Sequence, residues 1–348
     1  MMEWADFLGH HRQRNWFANA IAHNKLASTF LLVGPSGIGK RTFALLVAKS
    51  LLCTETDPKE LNFCNKCETC VQVESQTHPD FLYLNRDKER SAITLDQLVG
   101  SKDSRMREGF CYELRIRPYS GRRKIGVIDD ADTLEEETSN CLLKTLEEPP
   151  PGAVIFLLGT SEKRQISTIR SRSQIVRFSP LSVKDVEELI LRNSYVSDSA
   201  EARQLAGRSH GSIQYAQELN DPSLMEFRNQ IQSFLMQRPI EFIALAKAIL
   251  DHVNNSTREG QPRRDRLTWC LDEVTDALRN SLWMQMGVTA PGSSDPASVF
   301  APLKNLPVRT LVKLIELTHE TRGNVGRFIA PAALLEAWTA NFVRLARL

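Results

Sequence analysis

Short apolar runs alternate with helical patterns through the first half of the chain. The runs Phe30–Val33, Phe81–Leu84, Ile125–Asp129 and Val154–Gly159, with a fifth at Ile175–Phe178, have the length and residue types of strands. Helical segments between them predict a parallel α/β sheet. Phe43, Leu46, Val47 and Leu51 recur at helical spacing after the first run, and Leu142, Leu143 and Leu146 do so in a helix expected over Glu135–Glu148. That helix must end at Pro149-Pro150-Pro151, which cannot donate backbone hydrogen bonds. Ser179-Pro180 marks a boundary. Beyond it the pattern is helical to the end, broken by turn-rich stretches such as Val288–Ser298. In this part Leu245, Ile249, Leu311, Leu314, Ile315, Leu334, Leu335 and Trp338 fall at helical spacing, as core or subunit-contact positions rather than catalytic ones.

Composition adds bounds to this pattern. At 348 residues the chain is long enough for two or three domains. Hydrophobic residues make up 42% and charged residues 25%, as in ordinary globular proteins, and no apolar run approaches a membrane span. The opening MMEWADFLGHH lacks the build of a signal peptide, which predicts a cytoplasmic protein with reduced thiols. Net charge is +2, so the chain as a whole is no magnet for nucleic acid. Charge is uneven locally: Ser101–Lys124 holds eight Lys/Arg against three acids, a solvated face or a nucleic-acid contact.

Candidate chemistry begins directly after the first strand. Gly34-Pro35-Ser36-Gly37-Ile38-Gly39-Lys40 satisfies G-x-x-x-x-G-K between a strand and a helix, the context of a phosphate-binding loop. Its glycines let backbone wrap a phosphate at a helix N-terminus, and Lys40 would reach the β and γ phosphates. The next position calls for a Ser or Thr hydroxyl on Mg²⁺ and holds Arg41 instead. Thr42 is rotated about 100° further around the helix and points elsewhere. At ~4 Å and an effective dielectric of ~20, repulsion between a guanidinium and a divalent cation is several kcal/mol. Binding of ATP stays open, whereas efficient Mg²⁺-dependent hydrolysis does not fit. The strand at Ile125 ends in Asp129 and Asp130, a metal-side carboxylate and the position of a water-activating acid. Asp132 reads as a helix cap.

Seven cysteines are an odd number, and four cluster. Cys64, Cys67 and Cys70 make two successive C-x-x-C turns, and Cys53 precedes them by eleven residues. Four thiolates match a closed, structural tetrahedral Zn²⁺ site, with an iron–sulfur cluster as chemical rival. His78 is a spare ligand or, with four cysteines at hand, a packing or capping residue before Pro79. Cys111, Cys141 and Cys270 are isolated and read as buried thiols.

The order of these features carries a resemblance. The phosphate loop, the Cys-x10-Cys-x2-Cys-x2-Cys module, Thr77-His78-Pro79-Asp80, the acidic strand end, Leu142-Leu143-Lys144-Thr145-Leu146-Glu147-Glu148-Pro149-Pro150 and Ile169-Arg170-Ser171-Arg172-Ser173 together resemble the AAA+ clamp-loader ATPases of bacterial DNA polymerase III, closely over about the first 180 residues. Within the family they look most like the delta-prime type. The resemblance implies an α/β P-loop domain with a zinc-binding insertion, a small helical lid and an all-α collar. Mapped here, these are residues 1–179 with the zinc module at 53–70, then 180–221, then 222–348. It also implies partners: gamma/tau and delta subunits in a ring, the sliding clamp and primed DNA. Arg172 matches the arginine finger that would act on a neighbour's ATP, and Thr160 the sensor position. Gly211-Ser212-Ile213-Gln214 stands where active members carry an Arg in place of Gln214.

Three functions follow as expectations. The first is a clamp-loader subunit that lends Arg172 to a neighbour and hydrolyses little ATP itself. The alternative is an active gamma/tau-type motor. A zinc-ribbon DNA-binding protein is disfavoured, since the cysteines sit inside the nucleotide domain and the charge is near neutral.

Overall fold

The computed structural model describes residues 1–87, 92–105, 107–120, 122–237, 241–254, 261–288, 303, 305–325 and 330–346. Of the turn-rich stretch Val288–Ser298, residues 289–298 lie outside them. The chain forms two compact units, one of Met1–Asp87, Ala92–Arg192 and His210–Tyr215, the other comprising Asn193–Ser209 and the chain from Ala216 onward.

The first unit is built on five parallel strands: β1 (Thr29–Val33), β2 (Phe81–Leu84), β3 (Lys124–Ile128), β4 (Ala153–Gly159) and β5 (Gln174–Arg177). Their order across the sheet is β2-β3-β4-β1-β5. All five expected strands form, within a residue at each end. The reason lies in burial. Phe30 and Leu32 of β1 and Val154, Phe156 and Leu158 of β4 enter one core, while Leu31, Val33, Ile155 and Leu157 enter the other. A sheet covered on both faces demands continuous apolar strands, each such side chain contributing about 1.5–3 kcal/mol on burial.

Helices α1 (His11–Ala22) and α2 (Lys40–Leu52) supply Phe17, Phe43, Leu46 and Val47 to the first core. The short helices α3 (Glu68–Glu74), α4 (Leu95–Val99) and α5 (Phe110–Arg115) follow, then α6 (Glu136–Glu147), α7 (Ser167–Ser171) and α8 (Val183–Arg192). Leu98, Phe110, Leu114, Leu142, Leu146 and Ile169 fill the second core. Gly126 in β3 is where Phe110 lies across the sheet: an added Cβ would sit 2.6 Å from its ring. Helix α6 ends one residue before Glu148, ahead of the three prolines.

In the second unit α9 (Ser199–Arg208) and α10 (Ile213–Leu219), whose first turn belongs to the first unit, lead into α11 (Pro222–Met236), α12 (Phe242–Asn254), α13 (Gln261–Gln285), α14 (Val308–Asn324) and α15 (Pro331–Ala346). Helix α13 packs on α12 and α14, and α15 on α12 and α14. Leu245, Ile249, Leu311, Leu314, Leu334, Leu335 and Trp338 are buried there, while Ile315 is half-buried. The buried Arg228 binds Glu273 through two hydrogen bonds of 2.8 and 2.7 Å, a fork-to-fork match that satisfies both charges. No helix of the described residues is long and apolar enough to cross a membrane.

Candidate nucleotide loop and metal centre

The loop Gly34–Gly39 joins β1 to α2, so its place follows from an inner strand of the sheet, between β4 and β5. Gly37 and Gly39 have φ of 71° and 98°, where a side chain is strained. A Cβ on Gly37 would also strike Ser212 Oγ and come within 2.5 Å of Gln214 Cβ. Gln214 therefore packs at the loop tip, and the Ile213 amide donates to the Gly37 carbonyl at 3.0 Å. Gly211 allows that approach: its φ is 77°, and a Cβ there would lie 2.6 Å from the Leu181 carbonyl. On the other side, His10 Nε2 lies 2.8 Å from the Ile38 carbonyl oxygen. Pro35 and Ser36 are exposed, Gly34, Ile38 and Lys40 buried, and Thr42 half-buried.

Lys40 donates to the carbonyls of Gly34, at 2.6 Å, and Pro35, at 2.5 Å. Burial lowers its pKa, opposed by the carboxylates of Asp129, Asp132 and Asp130. Arg41 points to a partner the sequence did not single out. Its guanidinium carbon stands 4.6 Å from the centre of the Tyr83 ring, a cation–π contact. The Tyr83 hydroxyl in turn donates to Asp129 Oδ2 at 2.6 Å. Burial and the adjacent Asp129 carboxylate both push the Tyr83 pKa up, so the hydroxyl keeps its proton. Asp129 Oδ1 accepts from the Asp130 amide at 3.0 Å.

Arg41 works against Mg²⁺ in this arrangement. The hydroxyl ligand is replaced by a cation, and each oxygen of the metal-side carboxylate already accepts a hydrogen bond. Asp130 is in left-handed conformation, φ 53°, and its carboxylate pairs with Arg86 at 3.6 Å. Asp132 is not a helix cap. It accepts from the Thr160 amide at 2.6 Å, from the Thr160 hydroxyl, and from Gln165 Nε2 at 2.6 Å, so it fixes the end of β4. Gly159 makes room, since a Cβ there would lie 2.7 Å from Asp132 Oδ1.

Arg172 lies apart from these groups in its contacts, exposed at the C-terminal end of α7. Nη2 pairs with Glu147 at 2.6 Å, and Nη1 donates to the Thr168 carbonyl at 3.2 Å and to Ser171 Oγ at 3.3 Å.

The four cysteines do converge. Their sulfurs lie within 4.8 Å of one another, with Cys53–Cys64 at 3.7 Å, Cys53–Cys67 at 3.9 Å and Cys64–Cys70 at 4.0 Å. Zn–S bonds of about 2.3 Å in a tetrahedron put sulfurs ~3.8 Å apart, so the set fits one tetrahedral ion. A four-iron cluster would spread them more widely, each cysteine binding its own iron. Amides of Cys64, Lys66, Cys67 and Cys70 donate to cysteine sulfurs at 3.2–3.4 Å, favouring thiolates. Burial pushes the Cys53 thiol up, but bonds from Thr56 and the Cys64 and Glu55 amides outweigh it and bring it to about 6.

Two anchors hold this module. Lys49 of α2 is fully buried; it pairs with Glu74, donates to Asn65 Oδ1 at 2.9 Å and lies 5.0 Å from the Phe63 ring centre. Arg122 of the basic run donates to the carbonyls of Cys53 and Thr54, the latter at 3.2 Å. Asp80 is buried and accepts from the Tyr119 amide, the Ser120 amide and the Ser120 hydroxyl at 2.7–2.8 Å, with Lys124 at 4.0 Å. His78 is no ligand: its Nδ1 accepts from the Asp80 amide at 3.0 Å. Part of the basic run is thus structural, while Lys102, Arg105, Arg107, Arg115 and Arg117 are exposed. Cys111 and Cys270 are buried and Cys141 half-buried.

Comparison with known proteins agrees with the resemblance. The family described as DNA polymerase III, delta subunit, matches residues 9–182. DNA polymerase III subunit delta' of Pseudomonas aeruginosa is 32% identical over 206 residues, 59% of each chain. Subunit tau of Salmonella typhimurium is 26% identical over 318 residues, 87% of this chain and 47% of that protein. The matches thus span about half to three fifths of those relatives. Among solved structures, a gamma subunit-related protein of Thermotoga maritima superposes with a TM-score of 0.43 at 16% identity, covering 96% of this chain and all of that one.

Proposed function

Because the chain belongs to the AAA+ clamp-loader family of bacterial DNA polymerase III, we propose that it is a delta-prime-type subunit that assists a neighbour's ATP hydrolysis and carries out little of its own. In this reading residues 180–221 act as the lid and 222–348 as the collar of a ring shared with gamma/tau and delta subunits. The ring places the sliding clamp on primed DNA. The cysteine set holds a structural Zn²⁺, which ties the insertion together and takes no part in hydrolysis.

The single observation that carries the proposal is the contrast between two arginines. Arg41 stands in the metal-ligand position and is stacked on Tyr83, whereas Arg172 is exposed with its guanidinium ready to be handed from Glu147 to a phosphate. Arginine suits that task, being permanently charged and forked to match phosphate oxygens. Gln214 at the loop tip, in place of an arginine, further weakens the chain's own site.

The test is ATPase activity of the reconstituted complex with Arg172→Ala in this subunit alone. The finger reading expects turnover at the adjoining site to fall by about 10³, the lower range for such residues, with assembly intact by gel filtration. Unchanged turnover there would remove the assignment. The likeness to tau supports the alternative of a motor subunit. It is distinguished by the isolated chain: turnover with Mg²⁺ comparable to a gamma/tau subunit would establish it.

A further inference from the structure

The residues around the loop assign it a ligand. The loop glycines and Lys40 are retained, with Gly37 and Gly39 in conformations that suit them and few other residues. Among the described residues the hydrogen bonds of Lys40 go to loop carbonyls, partners that a flexible ammonium exchanges readily for phosphate oxygens. Apart from Gln214, what has changed concerns the metal. Arg41 brings a fixed positive charge to the first turn of α2, and Tyr83 hydrogen-bonds one oxygen of the carboxylate that a metal would use. Tyr83 is placed for both contacts. It faces the α2 side of the sheet with Phe81, and pairs in register with Val127, two residues before Asp129.

We propose that the loop binds nucleoside di- and triphosphates without a divalent cation, with Lys40 and the Arg41 guanidinium together supplying the charge that Mg²⁺ supplies elsewhere. The proposal rests on the nucleotide-loop reading above. It goes beyond it, because it makes the site a metal-independent nucleotide receptor rather than a worn hydrolytic one. Tyr83 is a positioning residue here: it keeps the guanidinium over its ring and Asp129 out of metal coordination. Cleavage is not expected, since Asp130, at the position of the water-activating acid, is paired with Arg86 at 3.6 Å.

The experiment is equilibrium binding of ATP and ADP to the full chain by calorimetry, in EDTA and in millimolar Mg²⁺. Affinities in the two buffers should agree within about threefold. Lys40→Ala should abolish binding in both, locating it at the loop. The double variant Arg41→Thr, Tyr83→Phe should weaken binding in EDTA tenfold or more and restore it in Mg²⁺. Arg41 is exposed, so the single variant Arg41→Thr provides a soluble control, expected to lose affinity in EDTA. Tenfold tighter wild-type binding in Mg²⁺, binding that survives Lys40→Ala, or no binding in either buffer overturns the proposal. None of these outcomes bears on Arg172, whose assay reads the neighbour's turnover. The two readings therefore fail separately.

Discussion

Replacing Lys49 with Met tests whether the nucleotide loop and the cysteine module share one support. Lys49 lies on α2, between Lys40 at the helix start and Cys53 just past its end. Its ammonium is fully buried against Glu74, Asn65 and the Phe63 ring, so the substitution keeps roughly the volume and deletes the charge. Removing one partner of a buried pair costs about 3–5 kcal/mol. Glu74 is 30% exposed and regains water, which reduces the expected loss to about 2–3 kcal/mol. Native-state hydrogen exchange reads this locally: amides of 43–53 and 64–74 should exchange roughly 30- to 150-fold faster. Metal release to a chromophoric chelator should accelerate alongside, because Asn65 lies between two ligands. Adding Glu74→Gln to Lys49→Met should cost little more, the pair being already broken. Exchange within twofold of wild type, with unchanged metal release, would show that Lys49 is not the tie.

The remaining predictions concern Asp80 and the metal. Burial pushes the Asp80 pKa up, but hydrogen bonds from the Ser120 amide and hydroxyl and the Tyr119 amide outweigh it and leave it lowered. A carboxyl depressed in the folded state adds stability above its unfolded value of about 3.9, lost as pH falls through the folded value. Asp80→Asn should therefore cost about 2 kcal/mol at pH 7 and flatten the decline of the urea midpoint below pH 4; an unchanged acid limb would refute it. Metal analysis of the purified chain should give one zinc and no iron, and Cys67→Ser should lose it. Iron in place of zinc would reverse the choice of ion.

Much of this was legible in the sequence, for physical reasons. A parallel sheet covered on both faces requires unbroken apolar strands, so the inner strands announced themselves, while the edge strand β5 offered only Ile175 and Val176. Arg41 could be placed because one residue after Lys40 in a helix leaves no freedom of register. The cysteines were legible because their spacing closes two tight turns. Tyr83 was not. The alternation of β2 could put it on the α2 side, but its contact with Asp129 depends on the register between β2 and β3, which local pattern does not set. Asp132 misled for a related reason. An acid before a helix reads as a cap, yet the end of β4 arrives beside it through strand pairing and takes the carboxylate instead.

Lys49 shows the same limit more sharply. A lysine near the end of a helix is ordinarily solvated, and here the insertion's Phe63, Asn65 and Glu74, with the Met2 carbonyl, bury it. Its burial also changes the meaning of α2. The helix has 13 residues, about 20 Å, and carries the nucleotide loop at one end and a metal ligand just past the other. A rigid element shared in this way couples the two sites if its far end is held, and Lys49 and Arg122 are the side chains that hold it. The metal would then steady a nucleotide loop that needs no metal of its own. On that argument, removing zinc from the wild-type chain should loosen ATP binding measured in EDTA-free, Mg²⁺-free buffer, and Lys49→Met should loosen it even with zinc retained.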